Sequence, residues 1–357
     1  MIVTKGLRKS FATRGRGAPV DAVRGIDLTV GQGEIFGVLG PNGAGKTTTL
    51  RMLATLVRPD GGEATVAGAD LLAEAAEVRR RIGYVAQGGG TADAVSGREE
   101  LVLQARMYGI SKSEAASRAQ EAMAAFELGE FGDRPCGTYS GGQRRRVDLA
   151  LGVIHRPKLL FLDEPTVGLD PQSRSQVWAE VRRLREQGMT VLLCTHYLDE
   201  ADSLCDRIGI VDHGRIVAEG SPEQLKKEIA GDSVGLTLRP GDRAGAVAAL
   251  RPLDWVSGLE AVSAEESADG GPKPADGAAD SATETGDAAV AESGGAAIAE
   301  SGEESELRLY VDDAPSALPQ LLRVLQDAGI EPALVQLRRP SLDDVFLART
   351  GRALDQD

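Results

Sequence analysis

Lys46 and Thr47 close the stretch Gly40-Pro41-Asn42-Gly43-Ala44-Gly45-Lys46-Thr47, whose spacing G-x-x-x-x-G-K-T suits a chain that holds phosphate. Glycines let the backbone curl until several N–H groups converge on phosphate oxygens. Lys46 would neutralise the β and γ charges, and the Thr47 hydroxyl would ligate magnesium. Further along, Leu159-Leu160-Phe161-Leu162 run apolar into Asp163 and Glu164, which reads as a buried strand ending in two carboxylates. In phosphoryl transfer the first would serve the metal's water shell, and the second would orient and deprotonate the attacking water. A third apolar run, Val191-Leu192-Leu193-Cys194, brings His196 to the end of another strand, where phosphate-facing loops of an α/β sheet gather. The glycine loop alone means only nucleotide phosphate binding. The acidic pair that follows it sharpens the reading to hydrolysis.

These groups need elements to hold them. The run Ile35–Leu39 before the glycine loop is continuously apolar, as a buried parallel strand is. After it, Leu50, Leu53, Ala54 and Val57 recur at helical spacing, so the phosphates would meet the positive end of a helix dipole. Tyr139-Ser140-Gly141-Gly142-Gln143 precede a second helix, on which Val147, Ala150, Leu151 and Ile154 share a face and which ends before Arg156-Pro157. Its serine and glycines offer a second anion-binding surface, although the chain already holds one nucleotide elsewhere. Arg144-Arg145-Arg146 read as a solvated helix face or a neighbour of ATP phosphates rather than a nucleic-acid patch, because the chain carries a net charge of −14.

With the Ser140 segment in place, the chain resembles the ATP-binding subunits of ATP-binding-cassette (ABC) transporters over residues 1–230. The resemblance implies an α/β fold: a P-loop ABC ATPase domain with a RecA-like core, an antiparallel β subdomain and a helical subdomain at about 88–157. It implies ATP and Mg2+ as ligands. Phe11 would lie against the adenine; Gly40, Pro41, Asn42, Gly43, Ala44, Gly45, Lys46, Thr47 and Thr48 would cradle the phosphates. Gln87, in Tyr84-Val85-Ala86-Gln87, would join Thr47 and Asp163 at the magnesium and sense the membrane partner. Glu164 would be the general base and His196 the switch at the γ-phosphate, with Gln87 and Lys46 also serving catalysis. Ser140, Gly141, Gly142 and Gln143 would cap the ATP of another protomer, and Asp170, in Gly168-Leu169-Asp170, would cross between protomers. Residues 88–95, rich in glycine, are expected to be flexible.

Three features are similar to the daunorubicin-resistance type of subunit: the tail Pro340-Ser341-Leu342-Asp343-Asp344-Val345-Phe346-Leu347, the segment Ser96-Gly97-Arg98-Glu99-Glu100-Leu101, and Tyr139 where the family usually has leucine. That type implies a homodimer working with a separate six-helix permease at the cytoplasmic face of the membrane, exporting drugs or other amphipathic compounds. A soluble cassette ATPase of translation or repair would use the same residues. Such proteins typically carry two cassettes or a long insertion, and none is visible here. An importer ATPase and a catalytically silent cassette remain as further readings, the latter opposed by Glu164 and His196.

Composition sets the frame. At 357 residues and 42 % hydrophobic, the chain can build one large core and a smaller one. No apolar run reaches the roughly 18 residues of a membrane helix, and no signal-peptide pattern opens the sequence. Cys136, Cys194 and Cys205 have no metal spacing and read as reduced structural thiols; His155 and His213 read as incidental. Residues 261–306 hold twelve acidic residues and one lysine, with no aromatic, so about 265–305 is expected to be disordered. Around it, strands at 234–238, 255–262, 307–311 and 334–337 and helices at 244–250, 317–328 and 342–348 follow the order β-α-β-β-α-β-α. This predicts a small α+β, ferredoxin-like accessory domain over 231–357 with an expanded central hairpin. The segment 12–20 is expected to form a mobile surface loop.

Overall fold

The computed structural model describes residues 1–12, 18–229, 232–239, 241–253, 255–262, 305–311, 313–338 and 340–350. The chain divides into two compact units, the first built on Met1–Leu225 and the second on Lys226–Arg352. The acidic segment, Ser305 apart, and residues 13–17 of the surface loop lie outside the described residues.

In the first unit, β1 (Ile2–Phe11), β2 (Val20–Val30), β4 (Gly61–Val66) and β5 (Ala69–Asp70) form an antiparallel sheet in the order β2-β1-β4-β5. Part of β1 alternates buried and exposed residues, the signature of a sheet with one wet face. A second sheet runs in the order β10-β9-β3-β8-β7-β6, where β3 is Ile35–Leu39, β6 Ile82–Val85, β7 Leu159–Asp163, β8 Thr190–Thr195, β9 Arg207–Asp212 and β10 Arg215–Gly220. Its strands are parallel except for the β9–β10 hairpin. Every residue of β3, β7 and β8 is buried, which is why these stretches read as unbroken apolar runs. The helices of this unit are α1 (Lys46–Leu53), α2 (Ala75–Arg81), α3 (Gly97–Met107), α4 (Lys112–Ala125), α5 (Gly141–Val153), α6 (Pro171–Glu186) and α7 (Leu198–Leu204). The helix α8 (Pro222–Ile229) spans the boundary between the units.

The register of the parallel strands decides what the sheet presents. Leu39 pairs with Thr195, Asp163 with Cys194 and Val85 with Leu162, so the carboxyl ends of four strands lie level. Ligand loops of open α/β sheets collect along that edge. Two local expectations change. Helix α1 stops at Leu53, since Thr55 takes a left-handed φ of 63°, and Val57 reaches the core from the loop beyond instead of from the helix. Residues 88–95 are tied down: Gly90 N–H donates to Asp148, Arg144 donates to Thr91 and Asp93, and the N–H groups of Cys136 and Gly137 donate to the carbonyls of Val95 and Asp93. The three cysteines are free and buried.

The second unit holds β11 (Asp232–Leu238), α9 (Arg243–Leu250), β12 (Val256–Val262), β13 (Ser305–Val311), α10 (Ala314–Asp327), β14 (Leu334–Arg338) and α11 (Leu342–Thr350). Its sheet, ordered β12-β13-β11-β14, is antiparallel throughout. Val234, Leu236, Leu309, Ala246, Leu250 and Leu321 pack one core between that sheet and α9 and α10. This order and connectivity are those of a ferredoxin-like β-α-β-β-α-β unit. Val262 pairs with Glu306, so residues 263–304 connect two adjacent strands.

Candidate functional site

The glycine loop leaves β3 at Leu39 and feeds α1 at Lys46. Gly45 has φ 104°, and a Cβ there would lie 2.3 Å from the Ala22 carbonyl oxygen, so only glycine fits. Lys46 is buried at the start of α1, and its Nζ donates to the carbonyls of Gly40 at 2.6 Å and Pro41 at 3.0 Å. Burial pulls the Lys46 ammonium below its ordinary pKa, while Glu164, 3.9 Å away, and Asp163 hold it up.

The end of β7 supplies the acids. Asp163 accepts from Thr47 Oγ1 at 2.9 Å and from the Tyr84 hydroxyl at 3.3 Å. Burial raises its pKa, and the Thr47 bond opposes that rise. Glu164 turns the chain with a left-handed φ of 48°, and its N–H donates to the Cys194 carbonyl of β8. A non-glycine residue in that region carries strain of about 1–3 kcal/mol, which a fold retains where the placement is used. The Glu164 carboxylate accepts from Gln87 Nε2 at 2.6 Å and lies 3.2 Å from His196 Nδ1. Thus Lys46, Thr47, Gln87, Asp163, Glu164 and His196, expected together from their separate motifs, form one contiguous cluster at the carboxyl edge of the sheet.

A second cluster forms around the start of α5. Ser140 caps that helix in a capping box with Gln143. A Cβ on Gly142 would come within 2.4 Å of Ser173 Oγ, so a larger residue there would push Ser173 aside. Ser173 donates through its N–H and its hydroxyl to Asp170, the cap of α6, and Leu169 lies beside Gly141. Ser140, Gly141, Gly142 and Asp170 are therefore close to one another and are not hydrogen-bonded to the Glu164 cluster. Phe11, at the end of β1, is 42 % exposed, and Lys9 Nζ lies over its ring at 5.4 Å from the centroid. Asn42, Gly43 and Thr48 stay on the outer side of the loop and the first turn of α1, the first two exposed.

The site's oxygens suit magnesium. The Thr47 hydroxyl, the Asp163 carboxylate and the Gln87 amide are hard oxygen donors, and no group of three or more His, Cys, Asp or Glu that would hold a metal occurs among the described residues. Magnesium characteristically uses one or two carboxylates completed by substrate phosphates, so these residues fit it.

Several supporting residues carried no sequence signal for their roles. Tyr84 was visible only as part of the segment leading to Gln87. Glu200, fully buried, accepts from Thr166 Oγ1 at 2.8 Å and from Trp178 Nε1 at 3.0 Å, tying the turn after Glu164 to α6 and the helix after His196. The expectation of a solvated arginine run fails for Arg145, which is buried: its guanidinium donates to the carbonyls of Ala86, Glu164 and Pro165. Tyr139 accepts from the N–H of Gly97 at 3.0 Å and donates to the Arg134 carbonyl at 2.9 Å, two bonds a leucine cannot make.

Comparison with known proteins agrees with this geometry. The model of a family described as ABC transporter matches residues 23–167. The daunorubicin resistance ATP-binding protein DrrA3 of Streptomyces coeruleorubidus is 42 % identical over 330 residues, 92 % of this chain and 91 % of the relative. The doxorubicin resistance ATP-binding protein DrrA of Mycobacterium tuberculosis (strain ATCC 25618 / H37Rv) is 41 % identical over 350 residues, covering 98 % of this chain and 93 % of the relative. Among solved structures, a dimeric ATP-binding cassette in a post-hydrolysis state with ADP and Pi superposes with a TM-score of 0.57 at 26 % identity, covering 62 % of this chain and 98 % of the other.

Proposed function

Since this chain belongs to the ATP-binding subunits of ABC transporters, of the daunorubicin-resistance type, and is an ATPase, we propose that it dimerises around two ATP molecules and drives export of a drug or other amphipathic compound through a separate membrane permease. The observation that carries this reading is the separation of the two clusters. The Glu164 cluster can bind and cut a nucleotide, while the Ser140 and Asp170 cluster offers helix-start N–H groups that its own phosphate loop does not need. Two copies facing each other would use both surfaces at once.

In such a dimer the glycine loop and Lys46 hold the β and γ phosphates, and Phe11 stacks on the adenine. Thr47, Asp163 and Gln87 would hold magnesium, which when bound neutralises phosphate charge. Glu164 orients and deprotonates water, and its contact with Gln87 and His196 fixes the carboxylate while the proton moves to it. His196 reaches toward the γ-phosphate, and Asp170 links the two sites.

The permease contact is supported by a groove of about 400 Å³ lined by Leu56, Arg79, Arg80, Gln104, Met107 and Tyr108, which also includes Tyr84, three residues before Gln87. Leu56 is 58 % and Met107 75 % exposed. No helix among the described residues is long and apolar enough to cross a membrane, so a membrane partner would supply the path. In this reading the subunit works at the cytoplasmic face, and the second unit is an accessory domain.

The test is Glu164→Gln in the full chain. Turnover is expected to fall by ~10²–10⁴-fold with MgATP affinity retained, and light scattering should detect a dimer that forms only with MgATP. Near-normal turnover would remove Glu164 from its role, and a monomer at saturating MgATP would remove the clamp.

A further inference from the structure

We propose that Arg145 is a positioning residue that carries engagement of the Ser140 segment into the placement of Glu164 and Gln87 in the same chain; this rests on the reading that the Ser140 segment caps a partner's ATP. Arg145 sits one turn into α5, just past the Ser140 cap, so it moves with the anion-binding end of that helix. Its side chain is 6 % exposed and points inward. Nη1 donates to the Ala86 carbonyl at 2.7 Å, directly before Gln87. Nη2 donates to the Glu164 carbonyl at 2.9 Å, and Nε to that of Pro165. One planar fork therefore holds the backbone on both sides of the hydrogen bond between Gln87 and Glu164.

Asp148, one turn further along α5 and also 6 % exposed, completes the arrangement. Its Oδ1 accepts from the Gly90 N–H at 3.0 Å, and its Oδ2 faces the Arg145 guanidinium at 4.0 Å. Gln87 is thus bracketed by residues fixed to α5, Ala86 through Arg145 and Gly90 through Asp148. A buried guanidinium is a costly way to gain stability, since apolar side chains of similar volume usually serve as well. What it supplies here is direction. The carbonyls of Ala86 on one side and of Asp163, Glu164 and Pro165 on the other are read by one rigid group, and lysine, a point charge on a flexible stem, cannot reproduce that fork. A shift of α5 when Ser140 meets phosphate therefore displaces the Glu164 carboxylate and the Gln87 amide together.

The experiment uses the full-length chain and steady-state ATP hydrolysis. Arg145→Lys keeps the buried cation and is expected to lower kcat on the order of 10- to 100-fold, the scale of a misplaced catalytic group, with KM for MgATP changed by less than about twofold. The decisive reading is a double-mutant cycle with Ser140→Ala. If Arg145 transmits what Ser140 senses, adding Arg145→Lys to Ser140→Ala lowers kcat little further, whereas independent structural roles multiply. Multiplying effects, a kcat within about twofold of the parent, or a change in KM alone would overturn the proposal. Should Arg145→Lys fail to fold, Asp148→Asn takes its place: a lower kcat at unchanged KM supports the proposal, and an unchanged kcat overturns it. MgATP-dependent dimerisation of Glu164→Gln separates the two levels. No dimer sinks the clamp and this inference with it; a dimer together with multiplying effects sinks this inference alone.

Discussion

Glu164 gathers the site's chemistry because three neighbours meet its carboxylate: Gln87 at 2.6 Å, His196 at 3.2 Å and Lys46 at 3.9 Å. Lys46 has a separable task. Lys46→Ala is expected to raise the dissociation constant for MgATP, read by nucleotide titration, while the thermal melt stays cooperative. Glu200 makes a pH prediction. Burial raises its pKa above the ordinary carboxylate value, against the bonds from Thr166 and Trp178. The folded state then holds this proton more tightly than the unfolded chain, so the group's contribution favours the fold at low pH and is lost as pH rises through the folded pKa. Glu200→Gln removes that ionisation cost and retains an oxygen for both donors. Its melting temperature relative to the parent should be higher at pH 8 than at pH 5; an equal difference at both would show that Glu200 does not titrate against the fold. Asp163, Glu164 and His196 were legible in the sequence because each sits where an apolar strand ends. Arg145, Asp148 and Glu200 were not, because what defines them is the loop they reach across the sheet.

At the scale of elements, the buried strands were the clearest. Their unbroken apolar runs state burial on both faces, and the parallel register then sets the four loop ends level. Helix ends were harder. Apolar spacing carried α1 on to Val57, whereas a left-handed Thr55 ends it, and no glycine marks that turn. At α3 the sequence Ser96-Gly97-Arg98-Glu99 drew notice as a family likeness, but its local meaning is a reciprocal capping box: Ser96 accepts from the Glu99 N–H and Glu99 from that of Ser96. Ser96→Ala should therefore cost about 1 kcal/mol, seen as a melting point a few degrees lower in the first unit. Unchanged stability would mean that water replaces the cap. The glycine-rich stretch before α3 looked mobile by composition alone. Two of its anchors, Arg144 and Asp148, are side chains more than fifty residues away on α5, beyond the reach of any local pattern.

At the scale of the whole chain, the second unit's strand order is that of the predicted β-α-β-β-α-β succession folded as a split β-α-β unit, with β13 between β11 and β12. The long connection between β12 and β13 was expected in the same place, from its acidic, aromatic-free composition. Replacing residues 263–304 by Asn-Gly is expected to leave the second unit cooperatively folded and to stabilise it by up to about 2 kcal/mol, since loop closure becomes cheaper in entropy. Circular dichroism melts would check this, and loss of the cooperative transition would show that the connection contributes to the fold. The buried cysteines carry a practical consequence. Burial raises the pKa of Cys136, Cys194 and Cys205, and the thiolate is the form that reacts. The native chain is accordingly a quiet background for maleimide dyes, and a single cysteine engineered at an exposed position would label selectively, making the approach of two subunits measurable by fluorescence transfer without first stripping the protein of its own thiols.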